Sequence, residues 1–281
     1  MKRSALIGDP VEHSLSPVMH NAAFRAMGID AIYELWPTVT ADLPARFASI
    51  RAPDILGANI TVPHKQAVME FCDGLTDTAR RIGAVNTLMP QSNGTIIGDN
   101  TDAYGFARTL DAAMSGSSPR RVLILGAGGA ARAVAVALVD SGVASVTIAN
   151  RTRQRADSLV ETLRDAGVDG IEAIAWDELA DAVPEVGLVV NATSIGWHSN
   201  ETPVSPEVIA ALDPDGAVID LTYRDTALLR MVRKRHITGI DGLSMLIHQG
   251  VRALELWTGL QPPVAVMTEA VMREQARRST A

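Results

Sequence analysis

The sequence predicts an α/β protein in two parts, each a sheet covered by helices, and three observations carry that reading. Short apolar runs alternate with helical stretches along most of the 281 residues, the pattern of successive βα units. A glycine-rich turn follows directly on an apolar run in RVLILGAGGAA, residues 121–131. Between the two series of runs lies Ser115-Gly116-Ser117-Ser118-Pro119, small, polar and rich in chain breakers, as a connection is.

The first series comprises runs at 4–7, 31–36, 55–61, 84–89 and 95–98. The second comprises 121–125, 145–149, 171–175, 187–192 and 217–221. After Gly239 the pattern is helical with no further strand, and this tail is expected to pack back onto the first domain. The expected division is therefore residues 1–101 together with 240–281, and 102–239. Hydrophobic residues make up 47% of the chain, enough to build two cores. The balance of 25 basic and 32 acidic side chains, a net charge of −7, gives no sign of a nucleic acid or an anionic membrane as partner. Cys72 is the single cysteine, which excludes a disulfide framework and fits a reducing cytoplasm. No apolar run is long enough for a signal peptide or a membrane span, so a cytoplasmic protein is expected.

Residues 8–24, GDPVEHSLSPVMHNAAF, leave the first strand and enter a helix. Ser16 followed by Pro17 reads as an N-cap and first helical position, with Gly28 closing the helix. That leaves Ser14 and His13 without a local role. A helix N-terminus with a spare hydroxyl suits an anion, although turns use serine freely. Further on, GANITVPHK, residues 57–65, ends a strand and is expected to open a helix at Pro63. Lys65 would then lie in a first turn, the unfavourable end of the helix dipole for a cation, where a proton-transferring lysine gains and an ordinary surface lysine loses a few tenths of a kcal/mol. Asp102, in GDNTDAYGF, is either its partner or the cap of a helix beginning near Ala103. Asn86 is a polar residue within an apolar strand pattern and must be paired or functional. Thr76 and Asp77 read as helix-capping groups. His13, His20 and His64 show no metal-ligand spacing, and no metal site is expected.

The turn after strand 121–125 offers Gly126 for a tight bend, Gly128 for backbone approach to a pyrophosphate and Ala131 for helix packing, which favours dinucleotide binding over a plain strand-to-helix turn. The end of the next strand distinguishes the dinucleotides. It carries Asn150-Arg151-Thr152-Arg153-Gln154-Arg155 in place of the carboxylate that accepts from a ribose hydroxyl. Arg151 and Arg155 suit a 2′-phosphate, so NADP is expected over NAD, with Arg153 readable as a solvated charge alone.

The motifs HSLSPVMHNAAF, GANITVPHK, IGAVNT, GDNTDAYGF, GAGGAAR, NRT, NATSIG and DGLSMLIHQG together resemble the shikimate dehydrogenase family, in the family's order, from Gly8 to about Gly259. The resemblance implies an N-terminal α/β substrate domain, a Rossmann-like NADP-binding domain, and reversible reduction of 3-dehydroshikimate to shikimate in aromatic amino acid biosynthesis, by a monomer or homodimer. It implies that Ser14 and Ser16 hold the substrate carboxylate, that Asn59, Thr61, Asn86 and Gln249 surround the ring, that Tyr223 is a further carboxylate contact, and that Lys65 and Asp102 are the catalytic pair. It places Gly126, Ala127, Gly128, Gly129, Ala130, Asn150, Arg151, Thr152, Arg155, Leu221 and Gly242 at the cofactor.

Two departures from the family pattern stand out. The turn Arg224-Asp225-Thr226 is about two residues shorter than usual, which bears on Tyr223. Trp197 stands where methionine is usual, either narrowing the nicotinamide pocket or packing within its loop. The rival readings are an NAD-dependent quinate/shikimate dehydrogenase, which Arg151 and Ser16 oppose, and an idle NADP-binding sensor, which Lys65 and Asp102 oppose.

Overall fold

The computed structural model describes residues 1–114, 119–197 and 200–279, so most of the connection expected at Ser115–Pro119 lies outside the described residues. The chain forms two compact units, residues 1–105 with 246–281, and 106–245. The first division falls after Gly105, within helix Asp102–Ala113, where the sequence suggested a break before Asp102. The reason is local: Asp102 and the turn before it are hydrogen-bonded into the first unit through Asn86 and Lys65.

The sheet of the first unit contains β1 (Lys2–Gly8), β2 (Ala31–Pro37), β3 (Ile55–Ile60), β4 (Gly74–Leu75), β5 (Thr87–Pro90) and β6 (Ile96–Asp99), in the order β2-β1-β3-β5-β6-β4. β1 runs parallel to β2 and β3, β5 is antiparallel to both its neighbours, and β4 is parallel to β6. The run 84–89 becomes strand only from Thr87, because Asn86 turns its side chain to the neighbouring segment 100–102. Ile7, Ala58, Ile60, Val85, Leu88 and Ile96 fill one core of this sheet. Helix Val264–Ser279 packs on helix Ser16–Ala26, as expected for the C-terminal tail, and Arg278 reaches the His13 carbonyl at 2.8 Å.

The second unit holds β7 (Arg121–Leu125), β8 (Ser145–Ala149), β9 (Ile171–Ile174), β10 (Leu188–Asn191), β11 (Ala217–Asp220) and β12 (Thr238–Asp241). All are parallel, in the order β12-β11-β10-β7-β8-β9, the doubly wound arrangement of dinucleotide-binding domains. β12 corrects the reading that no strand follows Gly239: TGID pairs with β11 residue by residue. As a four-residue edge strand with an exposed start, it carries too few apolar positions to announce itself.

Candidate active site

Each unit carries its own cluster of the expected residues. In the first, β3 delivers Asn59, the turn after it delivers Thr61 and Lys65, and the segment between β5 and its preceding helix delivers Asn86. The helix expected at Pro63 does not form. Residues 62–66 are turns leading to a short 3₁₀ helix at Ala67–Phe71, so a helix dipole does not account for Lys65. A carboxylate does: Lys65 Nζ lies 2.5 Å from Asp102 Oδ2, both side chains mostly buried.

Asp102 opens helix Asp102–Ala113 as its first residue, where the helix N-terminus favours a negative charge, and its own N–H donates to Asn100 Oδ1 at 3.0 Å. Its second oxygen accepts from Asn86 Nδ2 at 2.9 Å. Asn86 is in turn fixed through Oδ1, which accepts from the Thr101 N–H at 2.7 Å, the Thr87 hydroxyl at 2.9 Å and the Thr101 hydroxyl at 3.2 Å. Asn59 joins the same network by donating to Thr87 Oγ1 at 3.1 Å and to the Asn86 carbonyl at 3.2 Å. A buried amide, 2% exposed at Asn86 and 4% at Asn59, is here fully engaged, as burial requires.

The start of the helix differs from the one expected at the two serines. Helix Ser16–Ala26 has Leu15 at its N-cap and no side-chain cap, so Ser16 is its first residue and not its capping group. Ser14 plays the local part instead. Its oxygen accepts from the Ser16 N–H at 3.1 Å, and its hydroxyl donates to Ser16 Oγ at 3.1 Å. Gln249, on helix Leu243–Thr258, donates to the Leu246 carbonyl at 2.8 Å, and Thr61 is half-buried beside Gly8; neither joins the Lys65 network. Among the histidines, His64 is buried with Nε2 2.6 Å from the Thr38 carbonyl, and His20 lies in an aromatic cluster; among the described residues no group of His, Cys, Asp or Glu is arranged to hold a metal ion. Thr76 caps helix Asp77–Ile82 as expected, accepting from the Ala79 N–H. Burial raises the Cys72 thiol to about 12, which leaves it unreactive.

Sequence reasoning missed Tyr33, whose hydroxyl donates to Asn59 Oδ1 at 2.9 Å. The available signal was an aromatic with a polar end at an inward position of β2, which must find a partner when buried.

In the second unit, Gly126 follows β7 with φ +108°, a conformation glycine supplies, and a Cβ there would meet the Ala192 backbone at 3.1 Å. At Gly128 nothing lies within 4 Å of the position a Cβ would take, and helix Gly129–Asp140 begins there without a side-chain cap. The first-turn N–H groups of Gly129 and Ala130 have no intrahelical acceptor and no side-chain cap, which fits a pyrophosphate. At the end of β8, Asn150 donates to the Thr152 carbonyl, with Thr152 at the start of helix Arg153–Asp165. Arg153 is paired with Asp157 at 2.8 Å and Glu178 at 3.8 Å, whereas Arg151 and Arg155 are exposed without a carboxylate partner among the described residues. The two free guanidinium groups fit a 2′-phosphate. Leu221 and Gly242 adjoin: a Cβ on Gly242 would sit 2.1 Å from the Leu221 carbonyl oxygen, and the Gly242 N–H donates to the Thr222 carbonyl at 2.9 Å.

The short turn after Tyr223 is closed by Thr226, which caps helix Ala227–Lys234 and donates to the buried Asp220 at 2.7 Å. Asn191 donates to the other Asp220 oxygen at 3.0 Å. Burial pushes the Asp220 carboxyl up, against these hydrogen bonds. Tyr223 stands edge-on to Trp197, ring centroids 4.6 Å apart at 86°, with the Arg224 guanidinium 5.2 Å above the indole.

The comparisons with known proteins place the chain in a family. The model of the shikimate dehydrogenase substrate-binding domain matches residues 6–88, that of shikimate/quinate 5-dehydrogenase 110–213, and that of the shikimate 5'-dehydrogenase C-terminal domain 242–272. A shikimate dehydrogenase (NADP(+)) from Symbiobacterium thermophilum is 42% identical over 272 residues, 95% of this chain and 92% of the relative. The chain belongs to the shikimate dehydrogenase family. Within that family, a solved structure of shikimate 5-dehydrogenase from Thermus thermophilus in complex with NADP(H) and shikimate has a TM-score of 0.83 at 40% identity, covering 97% of this chain and 99% of that one. A quinate dehydrogenase from Corynebacterium glutamicum in complex with NAD has a TM-score of 0.88 at 32% identity, covering 97% and 99%.

Proposed function

We propose that this chain catalyses the reversible, NADP-dependent reduction of 3-dehydroshikimate to shikimate. The observation that carries the reading is the buried Lys65–Asp102 pair, held by Asn86, in a chain that is 42% identical to a shikimate dehydrogenase (NADP(+)) over nearly its full length. Bound NADP accepts or returns the hydride at the reacting carbon. Lys65 Nζ takes the hydroxyl proton of shikimate as the alcohol is oxidised and returns it to the carbonyl oxygen in reduction. Asp102 orients the amine, and Asn59, Thr61, Asn86 and Gln249 fix the ring hydroxyls. Ser14 and Ser16 receive the carboxylate, with Tyr223 as a further contact.

Arg151 and Arg155 favour NADP over NAD, because each offers a charge-assisted contact to the 2′-phosphate that NAD lacks. That choice separates the reading from quinate oxidation with NAD, the activity class of the Corynebacterium neighbour. The single cysteine supports a cytoplasmic enzyme, and among the described residues no helix is long and apolar enough to cross a membrane. Purified protein assayed by nicotinamide absorbance with shikimate and quinate, each against NADP and NAD, tests the reaction and the cofactor choice. Highest kcat/KM is expected for shikimate with NADP, and a preference for quinate with NAD overturns it.

A further inference from the structure

We propose that Tyr33 is a positioning residue for the reaction, its buried hydroxyl fixing the Asn59 amide and, through it, the network that holds Asp102 and Lys65. This rests on the shikimate reading. An amide has two chemically different ends, and its partners decide which way it faces. Tyr33 is 2% exposed and Asn59 4% exposed, so neither reaches water to replace a lost partner. With Tyr33 Oη donating to Asn59 Oδ1 at 2.9 Å, the Asn59 Nδ2 is directed at Thr87 Oγ1 and the Asn86 carbonyl. The Thr87 hydroxyl then donates to Asn86 Oδ1, and Asn86 Nδ2 to Asp102 Oδ1. Every step has a defined donor and acceptor, from Tyr33 to the carboxylate that Lys65 pairs with.

On its other side Tyr33 has the Ser16 hydroxyl as a neighbour, and Ser14 donates to Ser16. Tyr33 thus stands between the group expected to hold the substrate carboxylate and the group expected to move its proton. Its ring is clamped to serve that role. His20 stacks on it with centroids 4.3 Å apart and planes 3° from parallel, and Trp257 closes in at 6.3 Å. The cluster fits only because positions 57 and 250 are glycine, where a Cβ would lie 2.1 Å from Trp257 Nε1 and 2.2 Å from Met19 Cε. Loss of the hydroxyl alone leaves this packing intact and leaves Asn59 Oδ1 buried without its donor, a state relieved only by turning the amide.

The test is Tyr33→Phe in the full chain, with kcat and KM measured for shikimate and for NADP alongside the melting temperature. The expected result is a fall in kcat of about ten- to a hundredfold, KM for NADP unchanged within about twofold, and a melting temperature lowered by no more than roughly ten degrees. Because Tyr33 acts through Asn59, the same substitution in an Asn59→Ala background should cost less than about twofold more. Normal kcat in Tyr33→Phe overturns the proposal, as does an undiminished loss in the Asn59→Ala background or a lowered melting temperature without a kinetic change. A parent enzyme inactive on shikimate overturns the functional reading as well, whereas an active parent with a normal variant overturns this proposal alone.

Discussion

At the scale of single residues, the helix dipole expected at Lys65 gives way to a carboxylate partner. A cation beside proline at the start of an apparent helix suggested proton chemistry, yet the segment is a chain of turns, and the lysine is held there by Asp102 at 2.5 Å. If Nζ moves the proton, Lys65→Met, which keeps the stem and removes the amine, should lower turnover by about a hundred- to ten-thousandfold with KM for NADP nearly unchanged. Steady-state kinetics at saturating shikimate and NADP check this, and near-normal turnover assigns Lys65 to binding alone. The serine pair was legible as a pair but not in its division of labour. Whether a hydroxyl caps a helix depends on where the first turn begins, and that is settled by one residue of register which the sequence does not display. Tyr33 escaped notice because the partner of its hydroxyl lies 26 positions away.

Among the elements, the clearest in the sequence were those whose pattern and punctuation agreed. β7 and β8 lie where their apolar runs place them, and the glycine turn between β7 and its helix follows from the same stretch. β12 and the turns after Pro63 were illegible for opposite reasons: one is a strand with too few apolar residues, the other a helix-like opening with no helix to follow. The βαβ unit also yields the cofactor prediction. Arg153 is occupied by Asp157 and Glu178, which leaves Arg151 at the tip of β8 free for a phosphate. Arg151→Ala should weaken NADP by on the order of 1.5 to 3 kcal/mol, roughly ten- to a hundredfold, and leave NAD almost unaffected. Cofactor titrations by nicotinamide fluorescence measure both affinities, and an equal loss for the two contradicts the assignment.

Across the whole molecule, the domain plan was readable from two series of alternating runs. The place where the units part was not, because hydrogen bonds from Asp102 carry the first turn of a helix into the first unit. Stability in acid is a property of the folded whole. Burial holds the His20 imidazole down at about 3, against an ordinary 6.5, so between these pH values the unfolded chain takes up a proton that the native chain refuses. Stability therefore falls as the pH drops through this window, by about 3 kcal/mol between pH 7 and 4 from this group. Glu274, held near 2 by Arg277 and Arg278, acts in the same sense, so the informative quantity is a difference between proteins. Urea unfolding at pH 7 and pH 4 should show a smaller loss for His20→Phe than for the parent, and equal losses would show that His20 does not govern the acid limb.

The hydrogen-bonded line through Tyr33 also has a polarity. Hydroxyl hydrogens can swing, but the ends of a carboxamide cannot exchange without turning the whole group, and Asn59 and Asn86 are both enclosed. The stretch from Tyr33 to Asp102 therefore behaves as a rectifier, with the positive ends of its bond dipoles all aimed at the carboxylate and each bond polarising the next. Ser14 and Ser16, whose hydroxyls can swing, lie beyond its tyrosine end. If they turn their hydrogens toward a substrate carboxylate, as the proposed function requires, the tyrosine still donates inward to Asn59, and the alignment at Asp102 is kept.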